Sequence, residues 1–504
     1  MTITSNKDPN FIEMDVSNPT NRINAQKLTD GAEKHQSPYY KGWYIANSLD
    51  SISRANTDPF LPIFASSIGA TAGQIGLLSG LYSLVNISQL LWAQISTKMK
   101  RNRIFVVLGW FISAILYIPI ALLRIGQIYL LIILRFLQGL ITSASIPTQA
   151  SLMADHISYK DRAKKINHFT ELRLIGALLG TLISGLLFSL LADNFHLNTH
   201  NTFIVLFLWT MLLSITASLL IFMSVPDYPY ITRVESPIFI QKQIIHSESP
   251  SKKRLKAKFT AYLNKFSNFW VFCLFAVIFY FGVYLAATFF IILEIEKYHL
   301  SFFAASILTS VQIFIQILLT LVIAKQDLLD KFGRKIALVI GVIFISISSV
   351  LIIVPYYFLV PTFLWCLIAV ISLGIGWGLF QTALAVFLLD ITHPQYKATL
   401  IAVYNAVTGV AMFFGPVFGG LISEYSQNIS LIFLVRSLII ILTVIILMKV
   451  KEPEIPGIMI HPIRSFFWKL IQVNASKGSE FILTHANPRK VQYKHWIFKR
   501  CKQK

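Results

Sequence analysis

The stretch LIILRFLQGLITSASIPTQASLMAD, residues 131–155, carries a row of polar side chains through an otherwise apolar segment. At 100° per residue, these side chains fall within an arc of about 80° on one face of a helix. They are Arg135, Gln138, Thr142, Ser145 and Gln149. An arginine at membrane depth is costly unless it faces water, a partner or a cavity. The pattern therefore predicts a helix that lines a polar path through a helical bundle.

A second polar row contains Asn47, Asp50, Arg54 and Asp58, which also lie within about 80° of one helical face. Arg54 is four residues from each aspartate, so it can pair with either one within the helix. Asp58 precedes Pro59, and proline disfavours helix at the residue before it, so this carboxylate could simply cap a break. An ionisable group at membrane depth favours a functional role instead, and the sequence leaves both interpretations open.

Composition indicates a membrane protein with many spans. Of the 504 residues, 55% are hydrophobic and 13% are charged, a smaller charged share than soluble domains have. The net charge of +21 does not favour nucleic-acid binding, because lysine and arginine lie mostly in loops and tails between apolar runs. Cys273, Cys366 and Cys501 have neither metal-ligand nor disulfide spacing. We expect no cofactor, no metal and no nucleic-acid partner.

Twelve apolar runs are long enough to cross about 30 Å of hydrocarbon. They are residues 43–66, 75–96, 104–123, 128–154, 169–191, 202–224, 269–293, 302–324, 336–354, 362–389, 399–423 and 430–449. The sequence thus predicts an all-α membrane protein with twelve transmembrane helices. Its parts are an N-terminal tail (1–42), a six-helix bundle (43–225), a linker (226–267), a second six-helix bundle (268–450) and a basic C-terminal tail (451–504).

Lysine and arginine cluster in alternate loops, around residues 98–103, 160–165, 325–335 and 397, whereas the opposite loops contain only Arg124 and Lys297. The positive-inside rule then places both termini and the linker in the cytoplasm, and we expect the cell membrane as the location. The C-terminal tail interleaves basic and aromatic residues, as in RSFFWKLI at 464–471. This composition predicts an interfacial helix anchored on anionic lipid.

The second half of the chain repeats the first. An offset of 235 residues aligns five pairs: Asp155 with Asp390, Gly139 with Gly374, Arg162 with Lys397, Gly180 with Gly415, and Gly185 with Gly420. Secondary transporters are commonly built from such repeats. We expect two related bundles with the polar path between them.

Three motifs, together with the twelve-span repeat, resemble the major facilitator superfamily across nearly all of residues 43–450. The fourth span has its R-x-x-Q-G pattern in Arg135, Gln138 and Gly139. The loop after the eighth span is similar to its D-R/K-x-G-R-R/K signature, with Asp330, Gly333, Arg334 and Lys335. The eleventh span resembles its G-x-x-x-G-P-x-x-G-G element, with Gly415, Pro416, Gly419 and Gly420, although Ala411 replaces the first glycine.

The resemblance implies two six-helix bundles whose first, fourth, seventh and tenth helices line a central cavity. It places the Asn47–Asp58 row opposite Arg135 and assigns a cytoplasmic gate to the loop that contains Asp330. The equivalent loop after the second span, residues 97–102, has lost the acid and the glycine, and an ordinary basic turn explains it. Gly180 and Gly185 of the fifth span, like the glycines of the eleventh, are expected to let helices approach closely.

Polar and aromatic candidates for the opposite wall of the cavity lie in the second half. They are Tyr280, Tyr284 and Thr288 in the seventh span, Trp377 and Gln381 in the tenth, and Tyr404 and Asn405 in the eleventh. Such groups suit an organic solute, although aromatics at this spacing are also common packing anchors. Because the offset places Val370 opposite Arg135, the sequence predicts that charge is handled in the first half alone.

These features predict a monomeric secondary active transporter that moves a small organic solute by alternating access. Export of amphiphilic compounds is one such activity. Asp58 and Arg135 lie at about 12 and 11 Å from the same side of the membrane at 1.5 Å per residue, so proton coupling through this pair is expected. A transport-inactive sensor or scaffold on the same fold is the alternative. An enzyme is not indicated, because His168, His299 and His393 lie in loops or at span ends.

Overall fold

The computed structural model describes residues 39–99, 101–156, 162–225, 267–326, 333–392 and 397–452, and these residues form helices and connecting turns without a strand. Residues 226–266 of the predicted linker and 453–504 of the predicted C-terminal tail lie outside the described residues. We number the helices by predicted span. They are α1 (Tyr39–Thr57 and Leu61–Ser67), α2 (Ala72–Leu84 and Gln89–Met99), α3 (Asn102–Ile115 and Tyr117–Ala121), α4 (Ile128–Thr142 and Ser145–His156), α5 (Arg162–Ser189), α6 (Thr199–Ser224), α7 (Ser267–Ala287 and Phe289–Ile292), α8 (Phe302–Gln326), α9 (Arg334–Leu351 and Val354–Tyr357), α10 (Thr362–Ile391), α11 (Lys397–Ser426) and α12 (Ile429–Lys449).

Eleven helices of the described part are long and apolar enough to cross a membrane, and they coincide with the predicted second to twelfth spans. The first span, α1, is interrupted by a turn at residues 58–60. Pro59 and Pro62 explain the break, since Pro59 disfavours helix at Asp58 and Pro62 has no N–H to donate to the Asp58 carbonyl four residues earlier. The prediction of a proline break at Asp58 is therefore confirmed.

The fourth span is also interrupted, whereas the sequence predicted one continuous helix. Its two parts meet at Ser143 and Ala144, and Pro147 lies in the first turn of the second part. The proline ring clashes with the carbonyl four residues earlier, which belongs to Ser143, and this clash favours a break there. Beyond the break, the Ser145 hydroxyl donates to the Thr142 carbonyl at 2.7 Å, and Ser145 packs beside Gly109 of α3.

The internal repeat is visible in how glycines pack the helices of each half. In the first half, a Cβ on Gly180 would collide with the Ile52 carbonyl of α1. In the second half, a Cβ on Gly415 would lie 2.8 Å from the Phe281 carbonyl of α7. Because α5 meets α1 as α11 meets α7, the two halves share one arrangement, and glycine allows the close approach in both.

The halves contact each other through α2 against α11 and through α5 against α8. Many of these contacts lie toward one end of the bundle, which we call the α1–α2 face and define by loops 68–71 and 427–428. There Gly76 abuts the Pro416 carbonyl, and Gly185 abuts Ser306. The Thr181 and Ser310 hydroxyls are 2.7 Å apart. The two halves are thus held together near this face.

Candidate functional site

A partly buried ion pair joins the two polar rows. Arg135 of α4 is 5% exposed, and its Nη2 donates to Asp58 Oδ1 in the turn that interrupts α1. Asp58 does not cap the second part of α1, because the N-cap there is Phe60, without a side-chain hydrogen bond. The carboxylate therefore does not cause the break. The break instead places the carboxylate where it can reach Arg135.

Other groups hold the Arg135 guanidinium in place. Its Nη1 donates to Gln138 Oε1 at 2.5 Å, and Gln138 Nε2 in turn donates to the Ser113 carbonyl of α3 at 2.8 Å. The Tyr82 ring of α2 lies 4.3 Å from the guanidinium carbon, a distance at which the ring face attracts the cation. The arginine therefore remains oriented on α4 if Asp58 leaves.

Two further hydrogen bonds involve polar residues of these rows. Arg54 Nε donates to Asp50 Oδ2 at 2.9 Å, so of the two aspartates available it pairs with Asp50. Gln149 Nε2 of α4 donates to Asn47 Oδ1 of α1 at 3.2 Å. The rows on α1 and α4 therefore face each other, and Arg54 supplies a second cation one turn from Asp58.

A cavity of about 400 Å³ lies between the halves and includes this ion pair. Asp58, Tyr82 and Arg135 lie on the wall of the first half. Of the residues predicted for the opposite wall, the structure places three on the cavity, namely Tyr284, Thr288 and Trp377. The cavity is therefore lined by α1, α2 and α4 on one side and by α7 and α10, among others, on the opposite side.

Other predicted wall residues lie elsewhere. Tyr280 and Tyr404, 8% and 4% exposed, pack in the aromatic core of the second half, so their spacing reflects packing. Gln381 accepts a hydrogen bond from Gln316 Nε2 at 2.9 Å and links α10 to α8. Asn405 lines a second cavity, of about 370 Å³, which also separates the halves and is bordered by Asn86.

Two charged residues on the cavity were missed. Glu294, just beyond α7, and Arg436 of α12 line the same cavity as the Asp58–Arg135 pair, and they are 3% and 1% exposed. Charged side chains on the cavity are therefore not confined to the first half. Arg436 interrupts an apolar run, and that was a sufficient signal, because a charge at membrane depth marks a functional position by default. Glu294 lies near Lys297 and resembles an end-of-span charge.

The described part of the loop motif after α8 binds within its own half. Arg334 pairs with Asp390 at the end of α10, and the backbone amide of Arg334 donates to Glu452 Oε1 at 2.9 Å. Lys335 Nζ donates to the Val450 carbonyl at 2.6 Å. Asp330 lies outside the described residues, and Gly333 has a φ of 93°, which a glycine adopts without strain. These contacts join the loop to the ends of α10 and α12.

Comparison with known proteins agrees with this architecture. The sequence profile of the Major Facilitator Superfamily matches residues 43–326 and 272–471. The solved structure of the nucleoside transporter NupG is similar with a TM-score of 0.63 at 12% identity, over 83% of this chain and 100% of that one. A D-xylose-proton symporter gives a TM-score of 0.59 at 15% identity, over 82% and 96% of the two chains. At these identities the likeness concerns the fold.

A curated protein, Multidrug resistance protein 1 of Bacillus subtilis (strain 168), is 25% identical over 125 residues. The match covers 25% of this chain and 31% of that protein, so the chain spans about a third of the length of the curated relative that it matches.

Proposed function

The chain belongs to the Major Facilitator Superfamily, and we propose that it is a membrane transporter that moves a small organic solute by proton-coupled alternating access. The observation that carries the proposal is the Arg135–Asp58 ion pair on the wall of the central cavity. Fixed charge at this depth is costly, and a transport cycle that uses it gives a reason for its presence.

Alternating access is supported by where the halves touch. Contacts between α2 and α11, such as Gly76 with Pro416, lie near the α1–α2 face. The second cavity, lined by Asn86 and Asn405, separates the same two helices farther from that face. If the basic loops lie in the cytoplasm of the cell, the structure corresponds to an inward-facing form. Rocking of the halves would then close the cytoplasmic side and open the α1–α2 face.

Proton coupling is supported by the asymmetry of the ion pair. The Arg135 side chain is 6% exposed, whereas the Asp58 side chain is 35% exposed and borders the cavity. Because Gln138 and Tyr82 retain the guanidinium, Asp58 is the partner that can part from it. When Asp58 takes up a proton, its carboxyl group loses its attraction to Arg135. When Asp58 pairs with Arg135 again, it releases the proton. One proton can therefore be exchanged per cycle.

The solute is expected to combine apolar area with polar groups. Tyr284 and Trp377 offer aromatic surface on the cavity, and Gln312 and Thr309 offer hydrogen-bonding groups. The partial similarity to Multidrug resistance protein 1 is in keeping with an amphiphilic cargo.

The test uses proteoliposomes and a solute selected because it raises the melting temperature of the purified protein. We expect Asp58→Asn to abolish accumulation driven by a proton gradient, while exchange of labelled solute between the two sides continues. Arg135→Ala should impair both activities, because it leaves Asp58 without its partner in a low dielectric.

Asp58→Glu, which restores a carboxylate, is the matched control and should recover part of the accumulation. If Asp58→Asn concentrates the solute as steeply as the wild type does, coupling does not pass through Asp58. If no solute that binds is exchanged by the wild type, the protein is a sensor or scaffold on this fold.

A further inference from the structure

The cavity contains a second pair of charges that, unlike Asp58 and Arg135, do not satisfy each other. Arg436 lies on α12, and within the described residues its Nε and Nη1 atoms are buried without a hydrogen-bond partner. Glu294 lies in the π-helical turn Leu293–Lys297 that continues α7, and no ion pair or side-chain hydrogen bond engages its carboxylate in the described part of the chain. Both side chains border the cavity.

Phe290 places these two charges on one wall. The guanidinium carbon of Arg436 lies 4.7 Å from the centre of the Phe290 ring. Glu294 follows Phe290 by four residues, about one helical turn, and Phe290 also lines the cavity. The wall therefore presents a cation resting on an aromatic ring and a carboxylate about one turn farther along.

A buried charge without an ionic or hydrogen-bond partner is unfavourable, because it has lost water. In the described part of the chain, Arg436 has only the Phe290 ring in exchange, and Glu294 has neither an ion pair nor a side-chain hydrogen bond. Arg135 differs, because Asp58 and Gln138 engage both of its terminal nitrogens. A π-helical turn is itself uncommon and frequently marks a functional site. The unsatisfied groups thus lie on the second half of the cavity, and they have opposite signs.

We propose that Arg436 and Glu294 form the recognition site for a zwitterionic solute, with Arg436 binding its anionic group and Glu294 its cationic group. The ligand would supply the charge that each side chain lacks, and its apolar part would contact Phe290 and Tyr284. This inference rests on the proposed transport function and names the class of solute. It assigns the substrate to the second half of the cavity and leaves the Asp58–Arg135 pair for coupling.

The experiment measures binding to the purified full-length protein through its melting temperature. The probes are three zwitterions of increasing size, phenylalanine, phenylalanyl-alanine and glycerophosphocholine. Phenylalaninamide and N-acetylphenylalanine carry the positive or the negative charge alone. We expect at least one zwitterion to raise the melting temperature, and phenylalaninamide and N-acetylphenylalanine to raise it less. A preference for a singly charged probe, or no shift with any zwitterion, would overturn the proposal.

Substitutions then assign the two charges. Arg436→Gln and Glu294→Gln should each weaken binding of the zwitterion about tenfold or more, the usual effect of losing a charged hydrogen bond. Arg436→Lys keeps a cation and should retain part of the affinity. Arg103→Gln is the matched control for the arginine, because Arg103 also rests on a phenylalanine, Phe222 at 5.0 Å, outside this cavity. Glu296→Gln is the control for the acid, since Glu296 is exposed two residues away.

Stability separates recognition from a structural role. Arg436→Gln loses the contact with the Phe290 ring but also removes a buried charge that has no anionic partner among the described residues, so without ligand it should melt no lower than the wild type. If the two residues are instead an internal pair, each single substitution lowers the melting temperature, the double substitution restores it, and the ligand shift is unchanged. That result contradicts the proposal. Binding is measured without transport, so a zwitterion that binds but is not exchanged refutes the transport function and leaves this site intact.

Discussion

Glu424 connects the two halves at the α1–α2 face, and its removal should favour opening of that face. Its Oε2 accepts hydrogen bonds from the Gly73 amide at 3.0 Å and from the Thr71 hydroxyl at 3.2 Å. Thr71 is the N-cap of α2, so a carboxylate from α11 sits on the positive end of the α2 dipole. These contacts join the halves and must break when the face opens.

The contacts of Glu424 determine how far its removal shifts the equilibrium between the closed and the open α1–α2 face. A carboxylate at an exposed helix N-terminus contributes about 0.3–1 kcal/mol. With hydrogen bonds from Thr71 and Gly73, the contact totals about 1–2 kcal/mol, which corresponds to a factor of about 5–30 in a two-state equilibrium. We expect Glu424→Ala to raise the ratio of open to closed α1–α2 face by this factor. Glu424→Gln should have a smaller effect, because it loses the charge but keeps an acceptor.

The assay is double electron–electron resonance between spin labels at Ser67 and Tyr425, in a background without the native cysteines. Both positions are exposed at the α1–α2 face, one in each half. The long-distance population should grow in the order wild type, Glu424→Gln, Glu424→Ala. Glu296→Gln, at an exposed acid on the same face, should not change it. Identical distance distributions for Glu424→Ala and the wild type would refute the reasoning.

Two further predictions concern stability and are checked by thermal unfolding. Gly419→Ala should lower the melting temperature, since its Cβ would collide with the Leu285 carbonyl of α7 and overpacking costs about 1–3 kcal/mol. Gly409→Ala in the same helix should be tolerated, because the nearest atom to its Cβ lies at 3.9 Å. Equal losses of melting temperature for both variants would contradict the packing argument. Asp390→Asn removes the acid that pairs with Arg334 and should destabilise by about 1–3 kcal/mol, whereas an unchanged melting temperature would show that the pair contributes little.

The sequence predicted the fold well because the signals were long and local. Apolar runs gave the second to twelfth spans, and the proline at position 59 gave the break in α1. The meeting of Asp58 and Arg135 was predicted from helical rise, which gave both residues a similar depth, and from the family resemblance, which placed the row on α1 opposite Arg135. The rise could not show that the Tyr82 ring holds the arginine, because that contact depends on how α2 and α4 pack.

The second half was predicted less well, and packing is the reason. Tyr280 and Trp377 carry the same signal in sequence, yet one is buried in the core and the other borders the cavity. Only the rotation of each helix decides between them. Arg436 could have been found from its apolar surroundings, whereas Glu294 required the π-helical turn that places it on the cavity.

Proton coupling through Asp58 is tested most directly by counting protons when the solute binds. The purified protein, in weakly buffered detergent solution with a pH indicator, is mixed with the solute identified by thermal shift. The wild type should exchange up to about one proton per bound solute, because binding changes the pairing of Asp58 with Arg135 and hence its protonation. Asp58→Asn should bind the solute and exchange no proton. An equal proton count for both proteins would contradict the account.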